Sequence, residues 1–265
     1  MRFAGRSVFH SPRPPCPSSF RPGWPRAIHP SPLMMLLATK NLVAHYGDFQ
    51  ALFGIDFEVD AGELIAIIGS NGAGKSTFLK TLTGLISAAR DQVMFEGTAI
   101  GGWAPGKIVE LGIAMVPEGR RLFSSLNVEE NLLLGAYTKR PGPWNLEKVF
   151  ELFPVLREKR RVPSTSLSGG QQQMVAIGRA LMANPKLLIC DEISLGLAPI
   201  VAKDLYDALP KITAGCLTAL IVEQEIGLAQ KVSNRLYCFQ EGKVSLAGKS
   251  NEVTREQISL AYFGI

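Results

Sequence analysis

A chain of 265 residues, 46% apolar and 19% charged, has room for one large domain or a domain with a subdomain. No stretch approaches the ~18 consecutive apolar residues that span a bilayer, so any membrane association must run through a partner protein. The net charge of +5 is confined to one end: residues 1–33 hold five arginines and no acid, while the other 23 basic residues balance the 23 acidic ones. A neutral domain lacks the basic face of a DNA- or RNA-binding protein.

Residues 1–33 also carry eight of the seventeen prolines. Such a segment buries too little apolar surface to offset its ordering entropy and is expected to be disordered. It lacks the apolar core of a secretory signal, and only its Arg/Ser-rich, acid-free composition matches a transit peptide. Translation starting at Met34 or Met35, where a strand pattern begins at once, is the simpler account. The four cysteines (Cys16, Cys190, Cys216, Cys238) show no C-x-x-C spacing and no clustering with histidine. Cys190 lies inside an apolar strand pattern, and a reducing, cytosolic compartment fits.

Alternating apolar residues over 36–59, broken at His45-Tyr46-Gly47-Asp48, predict a β-hairpin or meander. The apolar run 64–68 predicts a buried strand, and a helix is expected over Lys75–Leu82. Short strands follow at Val93–Phe95 and Ile113–Val116. Asn127 with Glu130 three residues on is a helix start. From about residue 122 to 166 the pattern is helical and amphipathic, without strand candidates, and predicts an inserted helical subdomain. Strands recur at Leu187–Asp191, 217–222 and Arg235–Gln240, with helices at 170–183, 200–213 and 225–232. This alternation predicts an α/β fold around a mostly parallel sheet covered on both faces.

Between the strand at 64–68 and its helix lie Gly69, Ser70, Asn71, Gly72, Ala73 and Gly74, and Lys75, Ser76 and Thr77 open the helix. Glycines let backbone N–H groups fold inward around phosphate, and the helix start adds a positive dipole end. Lys75 supplies a charge for the β- and γ-phosphates of ATP, and the Ser76 hydroxyl a ligand for Mg²⁺. Asp191 and Glu192 close a buried strand, where carboxylates face the ligand crevice. Asp191 suits Mg²⁺, and Glu192 suits polarising the attacking water. Leu167, Ser168, Gly169, Gly170 and Gln171 form a second anion cradle at a helix start. One nucleotide site needs only one cradle, so this one is expected to serve ATP held by another subunit.

Together these strings resemble the ATP-binding cassette (ABC) ATPases over residues 35 to 265. The resemblance implies a P-loop NTPase fold of RecA-like type with an antiparallel β-subdomain and a helical insert. Two cassettes pair head to tail, each signature closing over ATP bound by the other. Tyr46 then stands where an aromatic stacks on adenine. Glu118 replaces a glutamine that usually senses Mg²⁺ and the membrane partner, Gln224 replaces a histidine at the γ-phosphate, and Ile193 replaces a proline. A third carboxylate at Glu118 should raise at least one pKa of the metal-free cluster.

Val116-Pro-Glu-Gly-Arg120, Ser194-Leu-Gly-Leu-Ala-Pro199, Val222-Glu-Gln224 and the terminal Ala-Tyr-Phe-Gly are similar to one ATPase subunit of branched-chain amino-acid importers. That implies a distinct second cassette (a homodimer being the alternative), two permeases, an extracytoplasmic solute-binding protein, and a place at the cytoplasmic face of the inner membrane. An importer of urea, amides or other amino acids is the nearest alternative. A soluble ABC ATPase acting on nucleic acid, or a small-molecule kinase, fits the residues less well.

Overall fold

The computed structural model describes residues 35–263, so the expectations for residues 1–33 and for a start at Met34 lie outside the described residues. Strands β1 (Met35–Tyr46) and β2 (Phe49–Asp60) pair antiparallel through a tight turn in which Gly47 takes φ 58°. Leu37, Leu42, Leu52, Ile55, Phe57 and Val59 are buried on one side of this hairpin. The register shifts near Asn41 (φ 47°), as the extra residue of a bulge requires.

The next strand, β3 (Leu64–Gly69), is buried at every position and feeds helix α1 (Lys75–Leu82). Strands β4 (Val93–Phe95) and β5 (Thr98–Ala99) extend the hairpin into a four-stranded antiparallel sheet of order β2-β1-β4-β5. Helix α2 (Pro105–Leu111) opens on proline and stops at Gly112, whose φ of 114° is left-handed. It leads into β6 (Ile113–Val116).

Between β6 and the signature segment the chain forms α3 (Val128–Leu134), α4 (Leu146–Leu152) and α5 (Pro154–Glu158), besides single 3₁₀ turns. Asn127 caps α3 in a reciprocal box with Glu130. The only strand-like pairing there, among the described residues, is an isolated bridge between Asn127 and Pro163.

Then α6 (Gly169–Leu181), β7 (Leu187–Asp191), α7 (Pro199–Thr213), β8 (Thr218–Glu223), α8 (Ile226–Val232) and β9 (Arg235–Gln240) alternate. The chain closes with β10 (Lys243–Lys249) and α9 (Arg255–Phe263), neither of which was predicted. The main sheet runs β10-β9-β3-β8-β7-β6, parallel except for β10 at its edge. Strand period sorts its side chains into two cores. Leu64, Ala66 and Ile68 of β3 enter one core with α3, α6 and α7, whereas Ile65 and Ile67 enter the other with α1 and the antiparallel sheet. In the second core Phe78 of α1 meets Phe57 and Phe239 edge-on at 5.0 and 5.2 Å, which fixes α1 and the loop before it. Among the described residues no helix is long and apolar enough to cross a membrane.

Candidate functional site: a nucleotide cleft and a remote signature

The loop from Gly69 to Gly74 is shaped by glycine where no other residue fits. At Gly69 a Cβ would lie 2.4 Å from the Phe239 carbonyl oxygen, so β9 can approach only a bare backbone. Gly72 and Gly74 hold φ of 82° and 97°. Gly74 is the N-cap of α1 and offers no side chain to the first turn, so the first amides of that turn keep their capacity for an anion. The Lys75 ammonium folds back over this loop, donating to the carbonyls of Gly69 (2.7 Å) and Ser70 (3.0 Å). Burial lowers its pKa, against the pull of Glu192 and Asp191. A phosphate seated in the loop would add its negative charge to that of these two acids.

The carboxylates converge on the lysine. Asp191, at the end of β7, is 3% exposed, and burial, then Glu192 and Glu118, push its pKa up to about 6. The Ser76 hydroxyl bonds it and Lys75 lies near, both pulling the other way. The predicted rise within this cluster thus falls on Asp191. Its Oδ1 is buried without a hydrogen-bond partner, while the Ser76 hydroxyl and the Glu118 carboxylate both act on the same side chain. Such an all-oxygen set fits Mg²⁺, a hard cation that keeps water and phosphate among its ligands. Among the described residues no three His, Cys, Asp or Glu side chains are grouped to hold a metal by themselves.

Glu192 takes a left-handed φ of 47°, a strained conformation for a non-glycine residue. Its amide donates to the Val222 carbonyl at 3.1 Å, and its Oε1 stands 3.9 Å from Lys75 Nζ. Gln224 Nε2 donates to Glu192 Oε2 (2.8 Å) and to Asn71 Oδ1 (3.3 Å). Lys75, Ser76, Glu118, Glu192 and Gln224 therefore share one cleft of about 680 Å³.

The outer end of the cleft is aromatic. Tyr46 ends β1, is half exposed, and shares a hydrogen bond with the Thr77 hydroxyl at 3.4 Å. Phe49, paired with Tyr46 across the hairpin, and Phe53 also line it, and the sequence reading missed both. Only the pairing of the two hairpin strands sets them beside Tyr46.

Leu167 to Gln171 behave differently. Ser168 caps α6, its hydroxyl accepting from the Gln171 amide while Gln171 Oε1 accepts from the Ser168 amide. Gly170 sits against α7 so closely that a Cβ would lie 2.2 Å from Val201 Cγ1. None of these five residues lines the cleft. The fold thus gathers Tyr46, the phosphate loop, Glu118, Glu192 and Gln224, and leaves the signature apart with Ser168 exposed.

Two further features were not legible in the sequence. Glu223, the residue before Gln224, is 2% exposed, accepts from Ser194 Oγ at 2.9 Å and from the Tyr206 hydroxyl, and is pushed up to about 7 by burial. A groove of about 380 Å³ lies between Phe123, Leu134, Tyr137 and Arg179. Arg179 donates to the carbonyls of Arg120 and Arg121, which both hold left-handed φ, and its guanidinium lies 5.4 Å from the Phe123 ring centroid.

The sequence profile described as "ABC transporter" matches residues 52–194. The chain is 40% identical over 232 residues to the high-affinity branched-chain amino acid transport ATP-binding protein BraG of Pseudomonas aeruginosa, covering 86% of this chain and all of that protein. It is 34% identical to the probable branched-chain amino acid transport ATP-binding protein LivF of Archaeoglobus fulgidus, covering 84% of this chain and 95% of the relative. A nucleotide-free ATP-binding cassette from an ABC transporter superposes with TM-score 0.74 at 31% identity, over 86% of this chain and 95% of that one. With its phosphate loop, acid pair and signature, the chain belongs to the ABC transporter family as one of its ATP-hydrolysing cassettes.

Proposed function

We propose that this cassette powers an importer of branched-chain amino acids, paired with a second, related cassette beneath two permeases that receive solute from an extracytoplasmic binding protein. It works peripherally, at the cytoplasmic face of the inner membrane. The relatives named for branched-chain amino acid transport support the solute class. One observation carries the motor reading: the phosphate loop and the signature are separate cradles, and the second lies outside the lining of its own chain's cleft. In a head-to-tail pair, Leu167, Ser168, Gly169, Gly170 and Gln171 close over the triphosphate held by the partner.

Hydrolysis is in-line attack of water on the γ-phosphorus. Glu192 orients that water and takes up its proton, while Lys75 and the loop amides hold the charge developing on phosphate oxygens. Gln224 fixes the Glu192 carboxylate with one N–H and, by releasing Asn71, turns the other to the γ-phosphate. Tyr46 stacks on the adenine. Ser76, Asp191 and Glu118 would hold Mg²⁺, which when bound neutralises phosphate charge. The apolar groove at Phe123, Leu134 and Tyr137, next to the segment that bears Glu118, is the surface for the permease.

The test is reconstitution with the permeases and solute receptor in vesicles. Leucine-loaded receptor should stimulate ATP hydrolysis, and Lys75→Ala should abolish it. Stimulation by urea or amides alone would reassign the solute; hydrolysis indifferent to permease and receptor would overturn the transport reading.

A further inference from the structure

Three successive residues at the exit of β8 hold the exit of β7. The Val222 carbonyl accepts from the Glu192 amide at 3.1 Å. The Glu223 carboxylate accepts from Ser194 Oγ at 2.9 Å through one oxygen and from the Tyr206 hydroxyl of α7 through the other. Gln224 then returns to Glu192 Oε2 at 2.8 Å. The middle grip is the unexpected one. An acid 2% exposed at the end of a buried strand is unfavourable unless its oxygens are satisfied, and an apolar residue would fill the space without that demand. Both oxygens are satisfied, and both donors belong to the segment that leaves β7.

That segment runs from Ser194 to α7. Its next residue, Leu195, is half exposed and lines the nucleotide cleft, and Ile200 is two-thirds exposed. Ile193 between Glu192 and Ser194 is buried in the core beside Tyr206. The loop is thus pinned at Glu192 by Val222 and Gln224, at Ser194 by Glu223, and at its far side by Tyr206.

We infer that Glu223 is a positioning residue for ATP hydrolysis, bracing the loop that begins at Ser194 so that its seating and the orientation of Glu192 move as one body. The brace acts through Glu192 and touches no substrate. It rests on the chain hydrolysing ATP and is independent of the solute carried.

The test uses the full-length chain co-purified with the subunits that assemble with it, measuring steady-state ATPase and binding of a fluorescent ATP analogue. Glu223→Ala should lower kcat about tenfold with KM and nucleotide affinity within about twofold. Glu223→Gln should recover most of the rate, because the amide accepts from one hydroxyl and donates to the other, which is free to rotate. Ser194→Ala should lower kcat in part and add nothing to Glu223→Ala, since the contact it cuts is one of the two that Glu223→Ala already removes. If Glu223→Ala does not fold, Ser194→Ala and Tyr206→Phe carry the test, because each keeps its side-chain volume nearly unchanged. Parental kcat in those two variants overturns the inference, as do losses from Ser194→Ala and Glu223→Ala that multiply independently. Glu192→Gln is the control: full activity in that variant would remove the hydrolysis mechanism itself, whatever the Glu223 variants do.

Discussion

Gln224 Nε2 donates to Glu192 Oε2 at 2.8 Å, while the other oxygen of the same carboxylate stands 3.9 Å from the Lys75 ammonium. The carboxylate proposed to activate water is therefore held on one side by an amide and on the other by a lysine whose pKa burial lowers. An amide at residue 224 cannot carry a proton or a positive charge. Gln224→His introduces a group that titrates near pH 6.5 beside Glu192. The expected outcome is a new acidic limb in the kcat profile of the variant, absent from the parent at saturating Mg²⁺ and ATP. An identical limb in both proteins would dismiss the idea.

Glu192→Gln keeps the shape and the hydrogen bond to Gln224 but removes the proton acceptor. Hydrolysis should fall by about 10² or more, with ATP affinity retained. With the partner site also disabled, the variant should accumulate as an ATP-bound dimer. Size-exclusion chromatography with and without ATP reads this directly.

Glu223 makes folding stability depend on pH, and the sign follows from its raised pKa. Below about pH 4.5 the carboxyl is protonated both folded and unfolded, and it carries no penalty. As pH rises from there to about 7 the unfolded chain releases the proton and the buried group keeps it, so stability falls. Above that range the penalty is constant, on the order of 3 kcal/mol. Asp191 adds a drop of the same sign over a lower window that ends near pH 6. Urea midpoints of the nucleotide-free chain should decline from pH 4.5 to 7, and Glu223→Gln should flatten the upper part of that decline.

Asn131 is fully buried and clips the segment between Glu118 and α3 into place. Its Oδ1 accepts from the Phe123 amide, and its Nδ2 faces the carbonyls of Phe123, Leu126 and Asn127 within 3.2 Å. Asn131→Ala leaves the Phe123 amide without its acceptor, whereas the three carbonyls keep donors from Leu126, Ser164 and the amide of residue 131, and it should destabilise the chain by about 1–3 kcal/mol. Denaturant titration checks the loss, and the groove at Phe123 should loosen with it.

Some of this was legible before any coordinates. Strands buried on both faces, such as β3, β7 and β8, announce themselves as continuous apolar runs, and the phosphate loop is specified by local backbone chemistry. β10 was missed because an edge strand with one wet face has no such run: Lys243, Ser245, Ala247 and Lys249 are all exposed. α9 was missed because it buries little beyond Ile258. Glu223 had no role of its own in the sequence because its partners, Ser194 and Tyr206, come from residues 29 and 17 positions earlier. Burial of a single acid by a distant helix leaves no periodic mark. The aromatic end of the cleft needed the hairpin register that sets Phe49 opposite Tyr46.

The division of β3 between two cores has a mechanical corollary. Leu64, Ala66 and Ile68 are embedded on one side and Ile65 and Ile67 on the other, so the strand that presents Gly69 has no slack face. A push delivered at the triphosphate cannot be swallowed by local give, since close-packed interiors resist compression. Such a push is expected to pass to the helices packed against both sides of the strand.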